Sequence, residues 1–214
     1  MDIRMIRVFP IIALLLFSPQ IRATQQSSTT AEIYEKASGA LSMVCCTIKE
    51  GDATREVVGV GICVDPSGII LTLALDTHTS PEAIQDCTLV LPGVNRITLK
   101  AKFLGMDALT GLTFLQAEGS HHWSEVSFES KAELTIGQDV TSIGILEAAG
   151  AHTLYVGKAQ VSSIIRIPET LVYVTGGRLT SPGSVVFSTE GKAIGIVGRQ
   201  LPLNSKVIVD SKAF

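Results

Sequence analysis

After residue 40 no stretch sustains the 3.6-residue apolar repeat of a helix. Short runs rich in Val, Ile, Leu and Thr follow one another instead. Turn signals such as VDPSGII (Val64–Ile70) and STEGKAI (Ser188–Ile194) cut between them. This spacing predicts strands near Leu41–Lys49, Val57–Val64, Ile69–Leu73, Thr88–Leu91, Ile97–Gly105 and Leu112–Gln116. A second group falls near Val126–Phe128, Asp139–Ile145, Leu154–Ile165, Leu171–Thr175, Ser184–Ser188, Ala193–Gly198 and Val207–Val209. The polar break AEGSHHWSE (Ala117–Glu125) separates the two groups. Short strands in this number indicate an all-β barrel or sandwich, and two similar barrels of about ninety residues each fit the division. The chain has 214 residues, 46% of them hydrophobic, enough for two small cores sharing an interface.

Before the strands the sequence changes character. Arg4 and Arg7 precede the apolar run VFPIIALLLF (Val8–Phe17), and SPQIRAT follows it. A basic start, a short apolar middle and a small residue at Ala23 read as a secretory signal, residues 1–23, cut after Ala23. An uncleaved anchor is the alternative, and the only membrane association this reading allows. Residues 24–32, opening with TQQSSTT, read as a flexible leader, and AEIYEKASGA (Ala31–Ala40) as one short helical turn. Secreted or periplasmic localisation follows, and it permits disulfides. The chain has four cysteines, Cys45, Cys46, Cys63 and Cys87. Strand alternation points the adjacent Cys45 and Cys46 to opposite faces, so they share neither a partner nor a metal. No C-x-x-C pair suggests zinc; small buried residues with at most one bridge are expected.

Other chemistry finds little support. Net charge is −3 with no Lys/Arg cluster, which argues against nucleic acid. His121 and His122 are neighbours that point apart on an extended segment and have no third ligand close in sequence; they read as linker residues, and Trp123 as a packing anchor. Gly59-Val60-Gly61 precedes a strand and not a helix, so it is no dinucleotide fingerprint. His152 and Tyr155 beside a turn indicate nothing specific. No cofactor or metal is expected.

Several segments then carry a resemblance. GVGICVDPSGIILT (Gly59–Thr72) is similar to the GSGFIIDPDGYILT stretch of the HtrA/Deg branch of trypsin-like serine proteases. KAKFLGMDALTGLTFLQA (Lys100–Ala117), IGQDVTSIGIL (Ile136–Leu146), GKAQVSSI (Gly157–Ile164) and VVFSTEGKAIGIV (Val185–Val197) resemble later segments of that branch, in the same order. YEKASGALSMV (Tyr34–Val44) resembles its entry to the first strand. The resemblance implies two perpendicular six-stranded antiparallel β-barrels with a cleft between them. The expected division is an N-terminal barrel at 33–118, a linker at 119–125 and a C-terminal barrel at 126–214. The branch usually carries PDZ domains after its protease domain; Phe214 directly follows the second barrel, so recognition by such a module is not expected.

The same resemblance implies where a catalytic triad would stand. The family's histidine ends ILTNAH; here ILTLALDT places Leu75 there, and leucine cannot accept a proton. The aspartate opens DLAVL; here GLTFL has Gly111. Counting back from VVFSTEG onto GNSGGPLF, Pro182 takes the nucleophile's place and Thr180 that of the preceding glycine. Proline has neither a hydroxyl nor the N–H that makes one of two oxyanion-hole donors. His78, Asp107 and Ser184 are the residues from which a moved site would be built. Ser184, however, begins a strand-like run and lacks a following glycine.

The expectation is therefore an exported, catalytically inactive relative that holds a peptide, an unfolded chain or a partner protein. Val174, Thr175 and Arg178 in LVYVTGGRLT (Leu171–Thr180) are its expected peptide-pairing edge. The competing expectations are an atypical serine endopeptidase using Ser184 and His78, and a structural module of an exported assembly.

Overall fold

Thr29 starts the ordered fold by closing a capping box. Its Oγ1 accepts from Glu32 N at 3.2 Å while Glu32 Oε2 accepts from Thr29 N at 2.7 Å. The resulting helix α1 (Thr30–Ser38) is two and a half turns, longer than the single turn expected, and it begins inside the segment read as leader. It buries Ile33 and Ala37, and Lys36 Nζ donates to the Gly191 carbonyl. The computed structural model describes residues 29–76, 78–93, 97–107, 110–130, 133–148, 151–167, 170–198 and 207–210. The signal-like residues 1–23 and most of the leader lie outside them. Among the described residues no helix is long and apolar enough to cross a membrane.

Six strands follow: β1 (Leu41–Glu50), β2 (Ala53–Asp65), β3 (Ile69–Thr72), β4 (Ile84–Val90), β5 (Thr98–Met106) and β6 (Thr113–Ala117). They pair antiparallel in the order β1-β2-β3-β6-β5-β4, and β4 returns to β1 to close a barrel. Closure removes free edges without lengthening any strand. Cys46 and Cys87 lie directly opposite across the closing β1–β4 seam, 4.2 Å apart at Cα, and form a disulfide. Cys45 points to the other face and is half-buried, as alternation requires. Cys63 is buried, with its thiol donating to the Asp65 carbonyl.

The described residues between β6 and Gln138 form no strand, which corrects the expected strand at Val126–Phe128. Val126 is drawn back to the first barrel, its N donating to the Cys63 carbonyl at 2.9 Å, and Phe128 makes an isolated bridge with Ala193. Trp123 is buried against Gly68, whose φ of 89° suits the turn after β2. An added Cβ there would lie 3.0 Å from the indole Nε1.

The second group comprises β7 (Asp139–Ala148), β8 (Ala151–Ile167), β9 (Thr170–Arg178), β10 (Val185–Ser188), β11 (Ala193–Val197) and β12 (Val207–Asp210). Its order is β10-β11-β12-β9-β8-β7, and β10 pairs with β7 through Val185↔Ile143. Two faces of this sheet do different work. Val140, Val161, Tyr173, Val186 and Ile208 pack inside it. Ile143, Ile145, Val185 and Phe187 face outward and join the core of the first barrel. One continuous apolar interface therefore binds the two strand groups and fixes the cleft at its rim.

Candidate functional site

Strand register brings the implied triad positions toward one another. Thr72, the last residue of β3, pairs with Thr113, the first of β6, so Leu73–Leu75 and Gly111–Leu112 flank the same end of the barrel. Across from them stands the turn Ser181–Ser184 before β10. A Cβ on Gly183 would lie 3.1 Å from the Val60 carbonyl oxygen and 3.5 Å from Leu73 N, so the turn abuts the first barrel there. Between them lies a cleft of about 490 Å³. Met43, Val58, Val60, Leu73 and Ile145 form its walls; Glu147, Ser181 and Pro182 complete its lining.

The occupants of the implied positions are apolar or spent. Leu75 is fully buried and belongs to the first barrel's core. Gly111 is buried at a φ of 75°, its N donating to the Asp107 carbonyl at 2.8 Å. Pro182 is exposed at the cleft and brings no amide hydrogen. The amides around it turn inward. Thr180 N donates to Ser142 Oγ at 2.9 Å, Gly183 N to the Val197 carbonyl at 2.7 Å, and Ser184 N to the Ser181 carbonyl at 3.2 Å. Thr180 N–H is therefore engaged inside the second sheet. The sequence could not show this bond, because Ser142 reaches Thr180 only through the β7 fold.

The fallback residues do not form a site. Ser184 is fully buried, and its Oγ has no hydrogen-bond partner among the described residues. It shares the inward face with Val186, two residues on, and an added Cβ on Gly144 would come within 2.6 Å of the hydroxyl. The Ser184–His78 pairing considered from sequence is accordingly not made. His78 is exposed, its N donating to Asp76 Oδ1 at 3.2 Å. Asp107 is committed to its own turn, where Oδ2 accepts from Thr110 N at 2.9 Å and also from Thr110 Oγ1.

The expected peptide edge needs correction at Val174. Val174 pairs with Ser163 of β8 on one side and Val207 of β12 on the other, so neither of its edges is open. Thr175 and Arg178 pair with Val161 and Lys158 of β8, and Thr175 is buried. The sequence could not show this, since β12 arrives some thirty residues after β9. The unpaired edge at the cleft belongs to β7. Beyond Ile143 it has no described partner except β8.

Other side chains at or beside the cleft form contacts that the sequence did not signal. Tyr155 Oη and Ser181 Oγ are 3.0 Å apart and share a hydrogen bond. Glu147 lies at the cleft opposite His152, its cross-strand neighbour on β8. His152 is buried with neither ring nitrogen hydrogen-bonded among the described residues, while its carbonyl accepts from Gly93 N at 3.2 Å.

Leu75, Gly111 and Pro182, at the implied catalytic positions, carry no side chain that could act as base or nucleophile. A family model for the trypsin-like peptidase domain matches residues 59–196, well over half of the chain. The chain belongs to the trypsin-like peptidase domain family. A comparison with curated proteins finds no match.

Proposed function

We propose that this is a non-catalytic member of its family, a two-barrel trypsin-like protein of HtrA/Deg type. In this reading it is exported and uses the cleft to hold a peptide, an unfolded segment or a partner protein. One observation carries the proposal: the turn at Thr180–Ser184 has a proline at the implied nucleophile position and three of its amides already bonded. Pro182 brings no hydroxyl and no amide hydrogen, and the N–H groups of Thr180, Gly183 and Ser184 all bond internally. An oxyanion donor is worth on the order of 10²–10³ in rate, and a missing base and nucleophile cost still more. Leu75 and Gly111 add nothing that could carry a proton. Export rests on the basic, apolar and small-residue pattern of residues 1–23 together with the Cys46–Cys87 disulfide.

The test pairs hydrolysis with binding. Purified protein should leave fluorescein-labelled casein intact over a day, while unfolded casein peptides raise its melting temperature. Casein cleavage lost in Ser181→Ala or Ser184→Ala would replace this reading with an endopeptidase. Absence of any thermal shift across a broad peptide panel would favour a structural module.

A further inference from the structure

We infer that the cleft selects peptides carrying a basic side chain, and that Glu147 of β7 recognises it. The inference rests on the peptide-holding reading and specifies its ligand. Along β7 the residues Ile143, Ile145 and Glu147 share one face, because strand side chains alternate. That face looks toward the first barrel: Ile143 and Ile145 pack against its core. Glu147 continues the row, and among the described residues lining the cleft it is the charged one. No described residue forms an ion pair or hydrogen bond with its carboxylate.

The remaining lining explains the shape of the ligand. Val58, Val60, Leu73 and Ile145 give an apolar bed, and the carboxylate stands at its end. Lys and Arg have matching chemistry, an aliphatic stem that lies on apolar surface and a cationic head that needs an anion. An acidic side chain would meet Glu147 with like charge, and a purely apolar one would leave the carboxylate without a partner. The backbone of such a ligand has a template in β7 past Ile143, where the strand has no described neighbour on the side away from β8. Strand addition there supplies main-chain bonds that do not depend on sequence. The Ser181 hydroxyl, oriented by Tyr155, offers a neutral contact at the same rim. Main-chain pairing and apolar contact thus supply affinity, while Glu147 supplies selectivity.

The experiment measures fluorescence anisotropy with a labelled octapeptide of alternating Val and Thr bearing one central Arg. The comparison peptide carries Gln in its place. The native protein should bind the Arg peptide roughly fivefold more tightly, the scale of one partly exposed ion pair. The preference should vanish in Glu147→Gln, reverse toward the Gln peptide in Glu147→Lys, and shrink in 0.5 M NaCl. Glu147 is exposed, so these variants keep the fold. Equal binding of the two peptides by the native protein, or a preference unchanged in Glu147→Gln, overturns the inference and leaves peptide holding intact. Failure of both peptides to bind removes the inference and the peptide-holding reading together.

Discussion

Leu75 and Ser184 show how environment decides what a side chain can do. Leu75 stands where the family resemblance implies a histidine, yet it works as core, fully buried among apolar neighbours. Leu75→Ala should lower unfolding free energy by about 3 kcal/mol, the usual cost of a cavity at such a site, readable by urea denaturation. Ser184 differs, because its buried hydroxyl has no described partner. An unsatisfied buried polar group carries a desolvation cost of about 1–3 kcal/mol. Ser184→Ala should therefore leave stability unchanged or raise it slightly in the same assay. A loss above about 1 kcal/mol would mean the hydroxyl is bonded. Cysteines obey the same logic. Burial, foremost, lifts the Cys63 thiol above its ordinary value, against the lowering influence of its bond to the Asp65 carbonyl. A raised thiol pKa favours the folded state at pH values below the unfolded pKa. That contribution is lost as pH rises through the folded value, so the window lies on the alkaline side of the thiol's ordinary value. Iodoacetamide at pH 8 should modify half-buried Cys45 well before Cys63, which mass spectrometry resolves; faster labelling of Cys63 would contradict its burial.

At the scale of elements, the Cys46–Cys87 bridge fastens β1 to β4 at the seam that closes the first barrel. Its ends are separated by 41 residues, and closing a loop of that length typically stabilises by about 2–4 kcal/mol. Reduction, or paired Cys46→Ala and Cys87→Ala substitution, should lower the urea midpoint accordingly; an unchanged midpoint would show that the bridge is not formed. Alternation alone showed that Cys45 and Cys46 face apart. It did not show which strand lies beside Cys46, because that depends on a seam between strands distant in sequence. Val126–Phe128 misled for a related reason. Its composition suits a strand, but Val126 found its partner in Cys63 and Phe128 forms an isolated bridge in place of a ladder. Val174 is the clearest case. Its β character was legible, whereas its lack of an open edge depended on β12. The helix erred the other way: the capping box Thr29–Glu32 was present in the sequence and would have supported more than one turn.

For the molecule as a whole, the most legible property was the order of the segments. Strands, turns and the run from Gly59 to Val197 carried the family, whose model spans residues 59–196. The site was half legible. Leu75, Gly111 and Pro182 could be placed by counting, whereas the inward amide of Thr180 and the face carrying Glu147 required the packing of β7 against two cores. That same packing makes the cleft a lasting feature, since Ile143, Ile145 and Val185 hold the second sheet against the first barrel whatever stands at the cleft's rim. Restoring a hydroxyl alone should consequently achieve nothing. Pro182→Ser still lacks a base at position 75 and a free amide at Thr180, and casein turnover by that variant should equal buffer. The most direct check on the central claim treats the native protein with excess fluorophosphonate and weighs it intact. The account predicts an unmodified mass. A single phosphonate adduct that disappears in Ser181→Ala or Ser184→Ala would show an activated serine and contradict it.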